Sequence, residues 1–166
     1  MSSIRSKAIG AIRVGDNFTV SRTFTEREAN DFAVISRDFN PVHFDDRFAG
    51  AKNLKGKICH GLLVGSMLTE IGGQLGWLAT EMNFRFIEPV YFGDTIECDL
   101  IVKAVDDRGQ ASADAIFRNE DGITVLEAYV KGKIPGEPEK QIILQMISEG
   151  DPTNKIGMSR EEEAAE

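Results

Sequence analysis

Asp38 and His43 lie five residues apart, on either side of the dipeptide Asn40-Pro41. Because proline lacks an amide hydrogen and biases the preceding residue towards extended geometry, this segment is predicted to be non-helical. A turn at Asn40-Pro41 would bring the carboxylate and the imidazole together on one water molecule. Such a pair can take a proton from water and deliver one to carbon, which is general acid–base catalysis. On spacing alone a second interpretation stays open, in which Asp38 caps a turn and His43 is a structural residue.

Gly61 follows Ile58-Cys59-His60 at the predicted start of an apolar helix. The first amides of a helix have no intrahelical partner and carry the positive end of the helix dipole. Because glycine has no side chain, a substrate oxygen could approach its N–H closely, so this amide is a candidate oxyanion donor. A glycine chosen only for helix packing fits the sequence as well.

Other catalytic motifs do not fit the sequence. Ser66 lies in Gly65-Ser66-Met67, which is not the Gly-x-Ser-x-Gly elbow of serine hydrolases. Cys59 adjoins His60, but neighbouring helical residues point about 100° apart, so a small buried thiol is the better interpretation. The chain has only two cysteines and two histidines, and neither a metal site nor a disulfide framework is predicted.

The elements that must position these residues follow from the periodicity of apolar residues. Thr25-Glu26-Arg27-Glu28 reads as a capping box. The helix after it is predicted to end near Ser36 and to bury one face, which consists of Ala29, Phe32, Ala33 and Ile35. A second helix, apolar on most sides, is predicted from about residue 59 to residue 73. A short strand at residues 16–22 and a period of two from residue 82 onward predict an α+β domain, with an antiparallel sheet wrapped around the buried helix.

The composition excludes several classes of protein. The 166 residues, 42% hydrophobic and 28% charged, are typical of one globular domain. Nineteen basic against 27 acidic residues give a net charge of −8, so nucleic acid is not an expected partner. The polar N-terminus does not resemble a signal peptide and no apolar run approaches 18 residues, so we expect a cytoplasmic protein with no membrane partner.

Three segments together resemble the MaoC-like family, which includes the (R)-specific enoyl-CoA hydratases and has the hot-dog fold. They are Asp38-Phe-Asn-Pro-Val-His-Phe-Asp45, Gly56-Lys-Ile-Cys-His-Gly61 and Phe86-Ile-Glu-Pro-Val-Tyr-Phe-Gly-Asp94. The resemblance covers roughly residues 10–135, and the hot-dog domain is assigned to residues 1–135. Residues 136–166 are assigned to a partly disordered C-terminal extension, in which the apolar stretch 141–147 is expected to dock on this domain or on a partner.

The resemblance implies a function and a site. It implies hydration of a trans-2-enoyl-CoA to an (R)-3-hydroxyacyl-CoA, or the reverse dehydration, in fatty acid metabolism and without a metal or redox cofactor. Asp38 and His43 match the catalytic pair, and Gly61 matches the glycine whose amide faces the thioester oxygen. Asn40 and Thr69 match positions that contact or shape the substrate site. The family pairs two domains with the acyl tunnel at their interface, which implies a homodimer or a higher homo-oligomer.

Two departures and two alternatives accompany this prediction. The family usually has glycine before the catalytic aspartate, where this chain has Arg37, and residues 72–81 lack the usual Pro-Gly, which leaves the acyl chain length open. A hot-dog thioesterase would direct the same water at the carbonyl carbon. A non-catalytic subunit would bind acyl-CoA or complete a hetero-oligomer.

Overall fold

The computed structural model describes residues 3–154, which contain five strands and six α-helices. The strands are β1 (Asn17–Thr23), β2 (Leu78–Phe86), β3 (Thr95–Val105), β4 (Gln110–Arg118) and β5 (Thr124–Lys133). The helices are α1 (Ser3–Ile9), α2 (Glu26–Ser36), α3 (Asp46–Ala51), α4 (Gly61–Gly65), α5 (Met67–Leu75) and α6 (Glu137–Ser148). A single 3-10 turn, Pro41–His43, lies between α2 and α3.

The five strands form one antiparallel sheet in the order β1-β3-β4-β5-β2. Alternate residues of the central strands point into the core, as a strand with one buried face requires. On β3 the buried residues are Ile96, Cys98, Leu100 and Val102. The sheet therefore confirms the α+β architecture that the period of two predicts.

The central helix is divided into α4 and α5, which are separated by the single residue Ser66. Ser66 joins α4 to α5 with φ −62° and ψ −16°, and its hydroxyl donates to the Leu63 carbonyl at 2.6 Å. One face of this helix enters the core that the sheet covers; its buried residues are Leu63, Val64, Met67, Leu68, Ile71 and Leu75. Leu62 is on the other face and is 59% exposed, so the helix is not enclosed on every side.

Helix α2 begins as predicted. The Thr25 hydroxyl accepts from the Glu28 amide, and the Glu28 carboxylate accepts from the Thr25 amide, which completes the capping box. Ala29 and Ala33 are buried, but Ile35 is 76% exposed, so its predicted place on the buried face is wrong. Ile35 is six residues after Ala29, about a third of a turn away from that face.

The two ends of the described chain meet beside α5. The Arg5 guanidinium of α1 pairs with Asp151 at 3.2 Å and donates to the Thr153 hydroxyl at 2.7 Å. Gln74 of α5 donates to the Thr153 carbonyl at 3.2 Å. Helix α6 docks on this domain through Ile143, which is buried. Residues 155–166, part of the predicted extension, lie outside the described residues.

None of the helices in residues 3–154 is both long enough and apolar enough to cross a bilayer.

Candidate active site

The loop after α2 brings the side chains of Asp38 and His43 close together. The His43 ring is buried, with 8% of its side chain exposed, whereas 51% of the Asp38 side chain is exposed. The distance from His43 Nε2 to Asp38 Oδ2 is 3.8 Å. The two candidate residues thus come together as the turn at Asn40-Pro41 predicts, at a separation too long for a direct hydrogen bond.

The tautomer of His43 follows from its other nitrogen. Nδ1 lies 2.8 Å from the Ile58 carbonyl oxygen, which can only accept, so Nδ1 carries the hydrogen. In the neutral ring Nε2 therefore has a lone pair directed towards the Asp38 carboxylate. Burial lowers the pKa of His43 from its ordinary value of 6.5; the Ile58 carbonyl and Asp38 oppose this shift and the nearby His60 adds to it. Two acceptors 3.8 Å apart leave a place where one water can donate a hydrogen to each.

Asn40 shapes this loop through both its backbone and its side chain. Its amide donates to Asp38 Oδ1 at 3.1 Å, so that Oδ2 is the carboxylate oxygen that faces His43. Its side-chain oxygen accepts from the Val42 amide at 3.2 Å and caps the 3-10 turn. Both contacts are local, as expected of an Asx turn, and they hold the carboxylate in place.

Arg37 has a left-handed backbone conformation, which costs free energy for residues other than glycine. It ends α2 with φ 60° and ψ 22°, in the left-handed region where glycine is free of steric penalty. This geometry gives a physical reason for a glycine before the catalytic aspartate, and the arginine of this chain is accommodated with strain. The backbone path to Asp38 is kept, because the Arg37 amide donates to the Ala33 carbonyl at 2.7 Å.

Arg37→Gly is therefore expected to stabilise the protein by up to about 1 kcal/mol. The substitution relieves left-handed strain of about 1–2 kcal/mol, and the extra entropy of glycine in the unfolded chain offsets about 0.5–1 kcal/mol of that gain. Denaturant unfolding measures the difference. Arg37→Ala is the matched control, since it removes the same side chain but keeps the Cβ, and it should give no such gain. Equal stability of the two variants would contradict the role of strain.

A second histidine, which the sequence analysis places in the segment before Gly61 without giving its side chain a role, completes the arrangement. His60 is 1% exposed, and its ring stacks on His43 with centroids 3.8 Å apart and an interplanar angle of 27°. Its Nε2 donates to the main-chain carbonyl of Asp38 at 3.0 Å. The only sequence signal for this contact is that both histidines of the chain lie in the region of the Asp38 and Gly61 motifs.

An apolar cavity of about 560 Å³ opens beside the pair. Its walls come from α2, the start of α4, β5 and the loop after β2; besides Asp38, His43 and His60 they include Phe32, Ile58, Cys59, Gly61, Leu62, Val64, Phe86, Ile87, Val90, Val125 and Leu126. A cavity of this size, lined mostly by apolar side chains with a few polar groups among them, is typical of a small-molecule site. Asp38 and His43 are among these polar groups.

Gly61 is the first residue of α4 and lines the cavity. The first backbone bond of the helix runs from the Val64 amide to the His60 carbonyl at 3.2 Å, and the His60 side chain does not cap the helix. The Gly61 amide is therefore one of the helix-start donors without an intrahelical acceptor. A Cβ at this position would lie 2.6 Å from Phe86 Cε1, so packing against β2 is a second, independent reason for glycine.

Thr69 and Cys59 have surroundings that differ from those of the candidate pair Asp38 and His43. Thr69 is exposed on α5, its hydroxyl donates to the Ser66 carbonyl at 2.6 Å, and it is not among the residues that line the cavity. Cys59 lines the cavity, but burial, with Asp94 and Glu28 nearby, raises the pKa of its thiol to about 12. A thiol with that pKa is protonated at neutral pH and is a poor nucleophile.

The cluster of Asp38, His43 and His60 offers ligand-type atoms within 4.8 Å of one another. An imidazole donates its lone pair in the plane of the ring, and these two rings are stacked, so their lone pairs do not converge on one point. One nitrogen of each ring is also engaged by a carbonyl oxygen. The arrangement therefore fits proton transfer better than it fits an ion.

Comparison with known proteins shows what this chain is similar to. Residues 11–120 match the MaoC like domain. The chain is 28% identical over 130 residues to the "(R)-specific enoyl-CoA hydratase" of Aeromonas caviae, covering 75% of this chain and 97% of the relative. It is 34% identical over 97 residues to the mitochondrial "3-hydroxyacyl-[acyl-carrier-protein] dehydratase" of Arabidopsis thaliana, covering 57% of each protein.

The fold is also that of a solved relative. The structure titled "(R)-hydratase from A. caviae involved in PHA biosynthesis" has a TM-score of 0.71 and 27% identity, over 76% of this chain and 99% of that one. This similarity confirms the predicted hot-dog fold.

Proposed function

Because the chain belongs to the MaoC-like domain family, we propose that it adds water across the trans-2 double bond of an acyl thioester, or removes it from the (R)-3-hydroxyacyl product. The observation that carries the proposal is the pair of acceptors, His43 Nε2 and Asp38 Oδ2, 3.8 Å apart on the wall of an apolar cavity. A reaction that activates one water and returns one proton to carbon needs such a pair.

The steps of the reaction follow from this geometry. Water donates one hydrogen to each acceptor, and its oxygen adds to C3 of the enoyl group while one of the two acceptors takes a proton. The electron pair of the double bond moves onto the thioester oxygen, and the Gly61 amide stabilises the charge that develops there. The protonated acceptor then delivers its proton to C2. Asn40 acts by holding Asp38, and Thr69 remains only a proposed outer contact.

We favour coenzyme A as the carrier of the acyl group. The match to the enoyl-CoA hydratase covers 97% of that relative, whereas the match to the carrier-protein dehydratase covers 57% of that one. The cytoplasmic location stays a prediction.

Incubation with crotonyl-CoA tests the proposal. Loss of the enoyl absorbance with formation of (R)-3-hydroxybutyryl-CoA supports it. Release of free thiol instead identifies a thioesterase, and a folded protein that binds coenzyme A but leaves every enoyl-CoA intact identifies a non-catalytic subunit. Crotonyl groups on coenzyme A and on acyl carrier protein, compared at equal concentration, test the choice of carrier.

We also propose that the working protein is a homodimer joined at β2. This strand is one of the two edges of the sheet in residues 3–154, the other being β1, and it exposes Leu78, Met82 and Phe86. Leu62 and Phe86 line the cavity and are nevertheless 59% and 54% exposed, so the cavity wall is incomplete on this side. A second copy would cover the apolar edge and close the wall.

Light scattering at micromolar concentration is expected to give the mass of at least a dimer. Met82→Arg places a charge on the proposed interface and should produce monomers. Ile142→Arg is the matched control, because Ile142 is equally apolar and 58% exposed but lies on α6. A monomeric wild-type protein contradicts the proposal, and so does a Met82→Arg variant that stays dimeric.

A further inference from the structure

His60 is a buried polar side chain that the fold does not require. It is enclosed by Phe32 at a centroid distance of 5.3 Å, by Phe44 at 6.0 Å and by His43 at 3.8 Å. Its Nδ1 is buried and has no hydrogen-bond partner among the described residues. A buried polar atom without a partner is costly, and an apolar side chain of similar size would avoid that cost. Stability of the fold therefore does not account for a histidine here.

One hydrogen bond and one ring stack join His60 to the candidate catalytic pair. Nε2 donates to the main-chain carbonyl of Asp38, which belongs to an exposed loop and follows the strained Arg37. The ring face lies against the face of His43, which fixes the plane in which His43 Nε2 points. The His60 side chain thus restrains both the Asp38 backbone, through a hydrogen bond, and the His43 ring, through stacking.

We propose that His60 is a positioning residue, which holds the Asp38 backbone and the His43 ring so that their two acceptor atoms face one water. This inference rests on the proposed hydration and extends it to a residue outside the reacting atoms. Small displacements of reacting groups lower the rate of reaction strongly, since a misplacement of about 1 Å can lower it about 10²-fold.

The electrostatics of the site agree with this role. Burial is the largest cause of the lowered pKa of His43, and the neighbouring His60 lowers it further. The other titratable groups on the cavity wall are Asp38, Cys59 and Glu88, and of these Asp38 raises the pKa of His43. A lowered pKa keeps His43 neutral above about pH 6.5, with its lone pair on Nε2. It also places the acidic fall in activity below that pH.

Two substitutions at His60 separate its contacts. His60→Leu removes both the donor and the ring, whereas the amide of His60→Gln can still donate to the Asp38 carbonyl. We expect His60→Leu to lower kcat about 10-fold to 10²-fold with KM changed less than about threefold. His60→Gln should recover most of that loss, and the acidic limb of its pH profile should move to higher pH. Phe24→Leu, a buried substitution away from the cavity, controls for lost stability.

The titration of His43 provides a readout that does not depend on activity. The chain has only two histidines, so the imidazole signals of His60→Gln are those of His43 alone. Its pKa by NMR should be higher than in the wild-type protein. Turnover per folded site in His60→Leu within about twofold of the Phe24→Leu control overturns the inference, and so does an unchanged His43 titration. A wild-type protein inactive on all thioesters rejects the proposed function, and the NMR titration then still decides the contact with His43.

Discussion

Asp38→Asn and His43→Gln are each expected to slow hydration by about 10²-fold or more, the usual range for loss of an acid–base partner. Asn at position 38 keeps the oxygen that accepts from the Asn40 amide but cannot accept a proton at the atom that faces His43. Gln at position 43 has no basic nitrogen to replace Nε2. Steady-state turnover per folded site, with circular dichroism as the check on folding, measures both effects.

Asp45→Asn is the matched control for this pair. Asp45 is in the same loop and accepts from the Arg47 and Phe48 amides at the start of α3, and Arg47 holds the pKa of its carboxyl well below the usual range. Asparagine caps helices as well as aspartate does, so this variant should keep both stability and turnover. If Asp38→Asn is as active as Asp45→Asn, the catalytic role of Asp38 is wrong.

The second large effect is expected at the Gly61 amide. Compared with Gly61→Ala, the variant Gly61→Pro chiefly lacks the N–H. Proline is well tolerated at the first helical position, and His60, with ψ 129°, already has the extended conformation preferred before proline. Loss of one oxyanion donor costs about 10²–10³-fold in kcat. Measured against Gly61→Ala, Gly61→Pro should show a loss of that size.

Gly61→Ala, rather than the wild-type protein, is the reference for Gly61→Pro because of the neighbouring Phe86 ring. Any Cβ at position 61 meets the Phe86 ring, so alanine and proline share this crowding while only alanine keeps the amide hydrogen. Both variants can be made with Phe86→Leu to relieve it. Gly65→Ala, whose Cβ would lie 3.0 Å from Phe84 Cε1, shows the effect of crowding against β2 without touching the amide. Equal turnover of Gly61→Ala and Gly61→Pro would mean that Gly61 is a packing residue only.

Local signals predict the elements of this fold well. The capping box at Thr25 and the alternation in β3 depend on neighbours within a few residues, and both occur as predicted. The position of β2 at the sheet edge depends on pairing with β5, about fifty residues away in sequence, which periodicity does not report. Helix α1 was not predicted, and its buried residues are covered by α5 and α6, which only the tertiary structure brings together.

The site shows the same division between local and distant contacts. The convergence of Asp38 and His43 follows from the turn at Pro41, because one short loop carries both residues. The stack of His60 on His43 joins two segments seventeen residues apart, and no spacing rule predicts it. Thr69 was placed by resemblance alone, and its hydroxyl is engaged by its own helix.

The buried pair of Arg5 and Asp151 affects where this protein can be cut. The family match begins at residue 11 and ends at residue 120, so it contains neither partner. Removing the residues after 135 would take Asp151 and Thr153 away from a buried guanidinium, and breaking a buried ion pair costs about 3–5 kcal/mol. The unit of cooperative unfolding is therefore expected to be larger than residues 11–120, with α1 and residues 149–154 losing or keeping their structure together.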